Sequence, residues 1–295
     1  GCGLTTRFQV LTSIQNVHPG EHKSTHMAAL RSLRPALDSI VRNPILLAVA
    51  ALVAILQLPQ FFVPTQSPML SAVASLAFSG LFILFLPFYQ GGLIGMADDA
   101  QTGPTEIGVL IDEGKANYLQ LLLSYFVVLA IAFAFTIPIV LLTFLGGAGV
   151  LLSGGQPSLP VLVGIGLVGL VVFLAYFGVM LAIQFYAHAI VIDDTSIVDG
   201  FKRSVGLVRA NLLSAIGYGV LLFGGGLIAG GIGGAASLLL SPQPALQSML
   251  PTPTLAMVAG AALVYVLVLA VLGAFYATYS VRFYRELSGA SHSGL

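Results

Sequence analysis

"AIVIDDTSIVDGFKRSVGLVRANLL", residues 189–213, gathers Asp193, Asp194, Asp199, Lys202, Arg203 and Arg209 in a chain otherwise almost free of charge. Either these charges form a reaction centre, or they mark where an apolar chain leaves a membrane and enters it again. Ile197, Val198, Phe201, Val205 and Val208 recur at helical spacing, with Asp199, Lys202, Arg203 and Arg209 on the opposite face. That is the pattern of an amphipathic helix lying in a membrane interface. Ser196 followed three residues later by Asp199 forms a capping-box start, which places a hydroxyl where it can accept the amide of the first turn. Asn211 then opens the next apolar run. An Asn there is expected to cap the incoming helix through its side-chain oxygen, while Arg209 reaches for lipid phosphates.

The rest of the chain favours the membrane reading. Of its 295 residues 57% are hydrophobic and 7% charged, against about 25% charged in a soluble domain, and the mean hydropathy is +1.00. Apolar runs cover 44–63, 70–96, 119–145, 161–189, 212–240 and 255–281, each close to or above the ~20 residues that a ~30 Å hydrocarbon core demands. Backbone polar groups in such runs must be satisfied within the segment, which makes them helices. The expected fold is an all-α polytopic membrane protein with six transmembrane helices. The breaks at 64–69, 146–160 and 241–254 hold no Asp, Glu, Lys or Arg. With all basic residues on the other side, the positive-inside bias puts both termini in the cytoplasm of a multi-pass protein of the cell membrane.

The segments on the charged side repeat. "RSLRPALDSIVRNP" stands before the first run, "ADDAQTGPTEIGVLIDEGKAN" before the third and "IDDTSIVDGFKRSVGLVRAN" before the fifth. The last two begin on an Asp pair, Asp98-Asp99 or Asp193-Asp194, and all three end on a cation and an Asn: Arg42 and Asn43, Lys115 and Asn117, Arg209 and Asn211. Leu30, Leu33, Leu37, Ile40 and Val41 give the first a stripe like that of the third, and Ile107, Leu110 and Ile111 give the second a weaker one. Asn43-Pro44 adds a proline suited to a first helical position. The expectation is three tandem hairpins, each introduced by an amphipathic interfacial helix on the cytoplasmic side. Residues 1–26 lack the apolar core of a signal peptide and read as a disordered or non-native leader. The transmembrane domain then spans 27–287, with 288–295 a short cytoplasmic tail.

The run 185–218, "FYAHAIVIDDTSIVDGFKRSVGLVRANLLSAIGY", resembles the glycerophosphoryl diester phosphodiesterase membrane-domain group and related uncharacterised multi-helix membrane proteins of bacteria and archaea. In that group a transmembrane helix ends in an apolar-acidic stretch and an "A-x-x-x-S-x-x-L-x-x-x-N" segment leads to the next. Here Gly200 replaces the Ala, while Ser204, Leu207 and Asn211 fit. The resemblance implies an integral membrane protein of mostly unassigned role; the phosphodiesterase activity in the group's name belongs to a separate soluble domain.

Candidate sites each have a plainer reading beside them. Asp193, Asp194 and His188 offer metal-ligand chemistry, but no further His or Cys follows at ligand spacing, and Cys2 is the only cysteine. No cofactor is expected. Gln184 and His188, four apart, could line a polar passage or hydrogen-bond between helices. Lys202, Arg203 and Arg209, with Lys115 and Arg42 in the other units, suit anionic lipid headgroups or a generic charged surface. Gly226, Gly230 and Gly234 have the spacing of a helix-packing seam, with a flexible gate as the alternative. "FYATYSVRFYREL" places Tyr276, Tyr279, Phe283 and Tyr284 beside Arg282 and Arg285, which reads as an aromatic belt with snorkelling cations. No nucleophile constellation stands out, and the spans hold no charged residue at their centres, which disfavours proton-driven transport. The favoured role is therefore non-enzymatic: organising the bilayer, or binding lipid or a membrane-protein partner, with no nucleic acid. Two alternatives remain. A transporter of a small neutral or lipid-like substrate should have a membrane-deep cavity lined by Gln57, Gln90, Thr136, Thr143 or Gln184. A membrane enzyme should bring the two Asp pairs to one cytoplasmic pocket.

Overall fold

The computed structural model describes residues 32–59, 67–152, 159–240 and 254–292, and the regular structure among them is helical. The chain runs α1 (Leu33–Arg42), α2 (Ile45–Gln57), α3 (Pro68–Asp99), α4 (Ile107–Ala116), α5 (Tyr118–Leu152), α6 (Leu159–Ile183), α7 (Tyr186–Asp193), α8 (Ile197–Ala210), α9 (Leu212–Leu240) and α10 (Leu255–His292). Five stretches are long and apolar enough to cross a membrane: α3, α5, α6 with α7, α9 and α10. The pair α1 and α2, bent by 90° at Asn43-Pro44, makes a sixth if counted as one span. The expected leader lies outside the described residues. Helix α10 continues to His292, so most of the expected tail is helical.

Helix α2 packs along α10, and the bundle is also tied at its charged end. There α1 packs on α10, α4 on α3 and α8 on α7. The most apolar stretches of α3, α5 and α6 bury nothing against the rest of the protein, and Phe133, Ile137, Leu167, Val171 and Phe173 all point outward. An outward apolar surface of that extent belongs in lipid rather than water.

Ser196 caps α8 as its sequence indicates, its Oγ accepting Asp199 N–H at 3.2 Å and donating to Asp199 Oδ2 at 2.7 Å. The three Asn residues act differently from expectation. Each stands at the C-terminal end of its amphipathic helix, and its Nδ2 donates back one turn: Asn43 to Ser39 O, Asn117 to Glu113 O and Asn211 to Leu207 O, each at 3.1 Å. The backbone carbonyls of Asn117 and Asn211 accept the next helix's amides from Leu121 at 3.0 Å and Ala215 at 2.9 Å. Thus the side chain closes one helix while the backbone opens the next, and the amide donor, not the oxygen, does the capping. Asn43 goes further: its Oδ1 accepts Thr105 N–H at 2.9 Å and its Nδ2 also reaches Gly103 O at 3.3 Å, locking α1 to the α3–α4 turn.

Close backbone packing does not fall on Gly226, Gly230 and Gly234. A Cβ added at any of them would meet nothing within 4 Å, because that face of α9 turns outward. The tight approach is between α3 and α4, where a Cβ at Gly92 would lie 2.2 Å from Leu110 O and one at Gly95 2.4 Å from the Glu113 side chain. On α9 it is Gly225 that is needed, beneath the Tyr276 ring. The aromatics of α10 likewise form a core rather than a lipid-facing belt. Tyr279, Phe283 and Tyr284 are fully buried; Tyr218 stacks on Tyr279 and Phe283, and Phe185 packs at a tilt against Phe283 and Tyr284.

Candidate functional site

The span of α6 and α7 is interrupted at Gln184 and Phe185. A broken helix frees backbone groups that hydrocarbon cannot satisfy, and here one side chain from outside the helix serves both. Ser204 of α8 donates its Oγ–H to Ala182 O at 2.9 Å and accepts Phe185 N–H at 3.0 Å. It can reach because Gly200 lets α8 lie on α7; a Cβ there would sit 3.0 Å from Ile190 and 3.3 Å from Tyr186 O. Gly200, Ser204 and Leu207 thus form the buried face of α8.

The break turns Gln184 toward a cavity of about 350 Å³ between α3, α5, α7, α9 and α10, whose polar lining includes Gln90, Gln184, His188 and Ser280. His188 is 6% exposed, with its Nε2 3.0 Å from Ser280 Oγ, whose own proton goes to Ala277 O at 3.0 Å. With the Ser280 proton on Ala277 O, the favoured tautomer carries its proton on Nε2 and leaves Nδ1 as a bare acceptor. Three buried polar atoms around this cavity have no hydrogen-bond partner: Gln90 Oε1, Gln184 Nε2 and His188 Nδ1. Buried polar groups are normally paired, so two acceptors and one donor at one cavity describe what an occupant must supply. Among the described residues no Asp, Glu, Lys or Arg lines it.

A second hollow, about 490 Å³, opens at the charged end between α3, α4, α7 and α10, where Asp98, Asp99, Glu113, Asp194 and Arg285 meet. Arg285 forms an ion pair with Asp98. Partial burial, together with the neighbouring Asp194, Asp98 and Asp112, raises the Glu113 carboxyl above its ordinary range against the lowering effect of its hydrogen bond from Asn117. Three members of the two Asp pairs therefore share one vestibule. The fourth, Asp193, instead pairs with Arg203 at 2.8 Å and accepts the Tyr284 hydroxyl, which itself accepts from Arg203 Nε at 3.0 Å.

The remaining sequence candidates scatter. Lys202 pairs with Asp199 at 3.6 Å on the surface. Arg42, Lys115 and Arg209 are exposed at equivalent places in the three units, with no ion pair among the described residues. His188 does not join Asp193 and Asp194, and no group of three metal-binding side chains occurs among the described residues. Gln57 accepts from Tyr265, and Thr136 and Thr143 bond to their own helix, so only Gln90 and Gln184 of the expected polar lining reach the cavity. Ser280, Tyr89, Tyr125, Tyr218 and Tyr276 complete its polar lining, with no signal in the sequence for this site beyond being polar groups within apolar runs.

Fold and site together define an all-helical protein whose long apolar helices suit a multi-pass membrane protein. The chain belongs to the DUF7847 family, a domain of unknown function, whose family model matches residues 27–287. No curated protein and no solved structure matches it, and nothing in these comparisons links it to the glycerophosphoryl diester phosphodiesterase membrane-domain group.

Proposed function

We propose that this is a non-enzymatic, six-span protein of the cell membrane that binds a small uncharged polar or amphiphilic molecule inside the bilayer. Both termini and the three amphipathic helices lie on the cytoplasmic side. The observation that carries the reading is the convergence of Gln90 Oε1, Gln184 Nε2 and His188 Nδ1, all buried and unpartnered, on one cavity. Its volume is within the usual ~300–1,000 Å³ of ligand sites, and discontinuous membrane helices are where such sites form. Absence of charge in the lining favours a neutral guest offering two donors and one acceptor. Native mass spectrometry of gently extracted protein tests this. Wild type should release a small organic molecule that Gln184→Leu does not hold; identical spectra from the two would refute it.

A second role at the bilayer surface is supported by Arg42, Lys115 and Arg209, three exposed cations each beside the start of a long apolar helix. Anionic lipid headgroups match them. Retention of anionic phospholipid should then fall when all three are changed to Gln, and unchanged retention would exclude the role.

A further inference from the structure

The cavity and the vestibule are lined by neighbouring stretches of the same three helices. On α3 the adjacent residues Ile94 and Gly95 line the cavity and the vestibule respectively. On α7 the same change takes place between His188 and Val191, and on α10 between Ser280 and Arg285. Three residues of helix rise about 4.5 Å, so what separates the two hollows is roughly one turn thick. Between the two linings Ile94, Val191 and Val281 belong to one buried apolar cluster, and Val281 is wholly inaccessible.

Building on the binding function proposed above, we infer that cavity and vestibule are two chambers of one passage for uncharged polar solutes, closed in this structure by the apolar layer of Ile94, Val191 and Val281. A dry layer of this kind stops polar molecules because crossing it means giving up hydrogen bonds with nothing in return. The groups on either side are polar and unlike each other. Above the layer they are neutral and partly unpartnered; below it four carboxylates face one guanidinium, a field that turns anions away. Movement has an available hinge and available ties. Helix α7 is a short segment between the break at Gln184-Phe185 and Asp194, which takes a left-handed conformation at φ 49°. The Asp98–Arg285 pair holds α3 to α10 across the vestibule, so parting that pair lets α3 and α10 separate around the layer.

The test is glycerol permeability of proteoliposomes, followed by stopped-flow light scattering. Ile94→Ala and Val191→Ala thin the layer, and Val191→Thr wets it with almost no change of shape, so a loss of folding in the shorter variants does not remove the test. Each folded variant should conduct glycerol several-fold faster than wild type, while potassium glutamate stays excluded. Leu227→Ala, on the outward face of α9, should match wild type. A folded Val191→Thr protein with wild-type glycerol permeability would overturn the passage, as would glutamate entry equal to that of glycerol. If wild type still holds its small molecule in native mass spectrometry while no layer variant conducts, binding stands and the passage falls. Loss of the bound molecule alone removes the binding function and leaves the flux result to be judged separately.

Discussion

Replacing Asn211 by Asp separates two ways in which an Asn can join two helices. If its oxygen capped α9, Asp would keep the acceptor and add a charge favourable at a helix N-terminus, leaving stability near wild type. Here its Nδ2 donates to Leu207 O at 3.1 Å, and Asp has no proton to give at neutral pH. A carboxylate oxygen would face a carbonyl oxygen, and Leu207 O would keep only its backbone bond from Asn211 N–H at 3.1 Å, a loss of about 0.5–1.5 kcal/mol for the missing second bond. The dipole contributions, ~0.3–1 kcal/mol each, have opposite signs because the residue sits at the end of α8 and the start of α9. They leave that cost nearly unchanged. Asn211→Leu loses the same bond without adding charge, so Asp should be at least as damaging as Leu. Asn117→Asp should be worse, since Nδ2 also meets Glu113 Oε2 at 3.1 Å and two carboxylates would come together. Asn43→Asp should be worst: the residue is 3% exposed and would lose donors to both Ser39 O, which keeps its backbone bond from Asn43 N–H, and Gly103 O, roughly 1.5–4.5 kcal/mol for the two. The chain has no tryptophan, so the assay is thermal unfolding in detergent followed by circular dichroism. A stable Asn211→Asp beside a weakened Asn211→Leu would refute the donor argument.

Three further outcomes follow from the packing and the charges. Gly92→Ala and Gly95→Ala should each lose about 1–3 kcal/mol or more by overpacking α3 against α4, whereas Gly230→Ala, facing open space, should leave the unfolding midpoint unchanged. Ser204→Ala strands Phe185 N–H and Ala182 O at the broken span; it should cost about 1–3 kcal/mol per stranded group and weaken retention of the bound molecule, since Gln184 is positioned by that break. For Glu113 the folded state holds the proton more tightly than the unfolded chain, so the carboxylate is destabilising at neutral pH, and that penalty lifts as pH falls through the raised value toward the ordinary ~4.3. Glu113→Gln should therefore be more stable than wild type near neutrality, with the gap closing as the medium is acidified.

What the sequence makes legible here is what depends on one helix at a time. Run length is a property of single segments, and it places five long helices and the amphipathic α1 and α8, while the first expected span is helical over Ile45–Gln57 and counts as a sixth only together with α1. The Ser196 cap is equally local, a hydroxyl three residues from the amide it accepts. Glycine spacing is only half local. It says that Gly226, Gly230 and Gly234 share a face, but not whether that face meets a neighbour, and on α9 it does not. The glycines that matter, Gly92 and Gly95, sit in an aromatic-rich run whose partner α4 is fixed by the short turn after Asp99. The Asn residues failed for a different reason: their amide carries both a donor and an acceptor, and they stand where one helix ends and another begins, so the sequence offers two caps and tertiary structure selects one.

The cavity belongs to a third level. Gln90, Gln184 and His188 were each visible as polar side chains in apolar runs, yet the runs are far apart in sequence and only packing decides whether such groups pair with one another. They do not, and the reason lies in how the bundle is held. Much of its packing is at the charged end, where α1 packs on the last helix and α4 and α8 each pack on a helix immediately before them in the chain, while α2 packs along α10 as far as the Gln57–Tyr265 hydrogen bond. The most apolar stretches of α3, α5 and α6, by contrast, hold no buried residue. Helices fixed at one end and loose at the other leave space just inside the last packed layer, and that is the level of Gln184 and His188. Had the polar groups only served to glue helices, the same looseness would have let them turn toward one another. Ser204 instead bonds the interruption in α6 and α7 from outside, spends its hydrogen-bonding capacity on the backbone there, and holds Gln184 turned into the open space. A side chain kept unpaired by a neighbour that is itself fully paired is positioned for a guest, and this separates the site from a defect of packing.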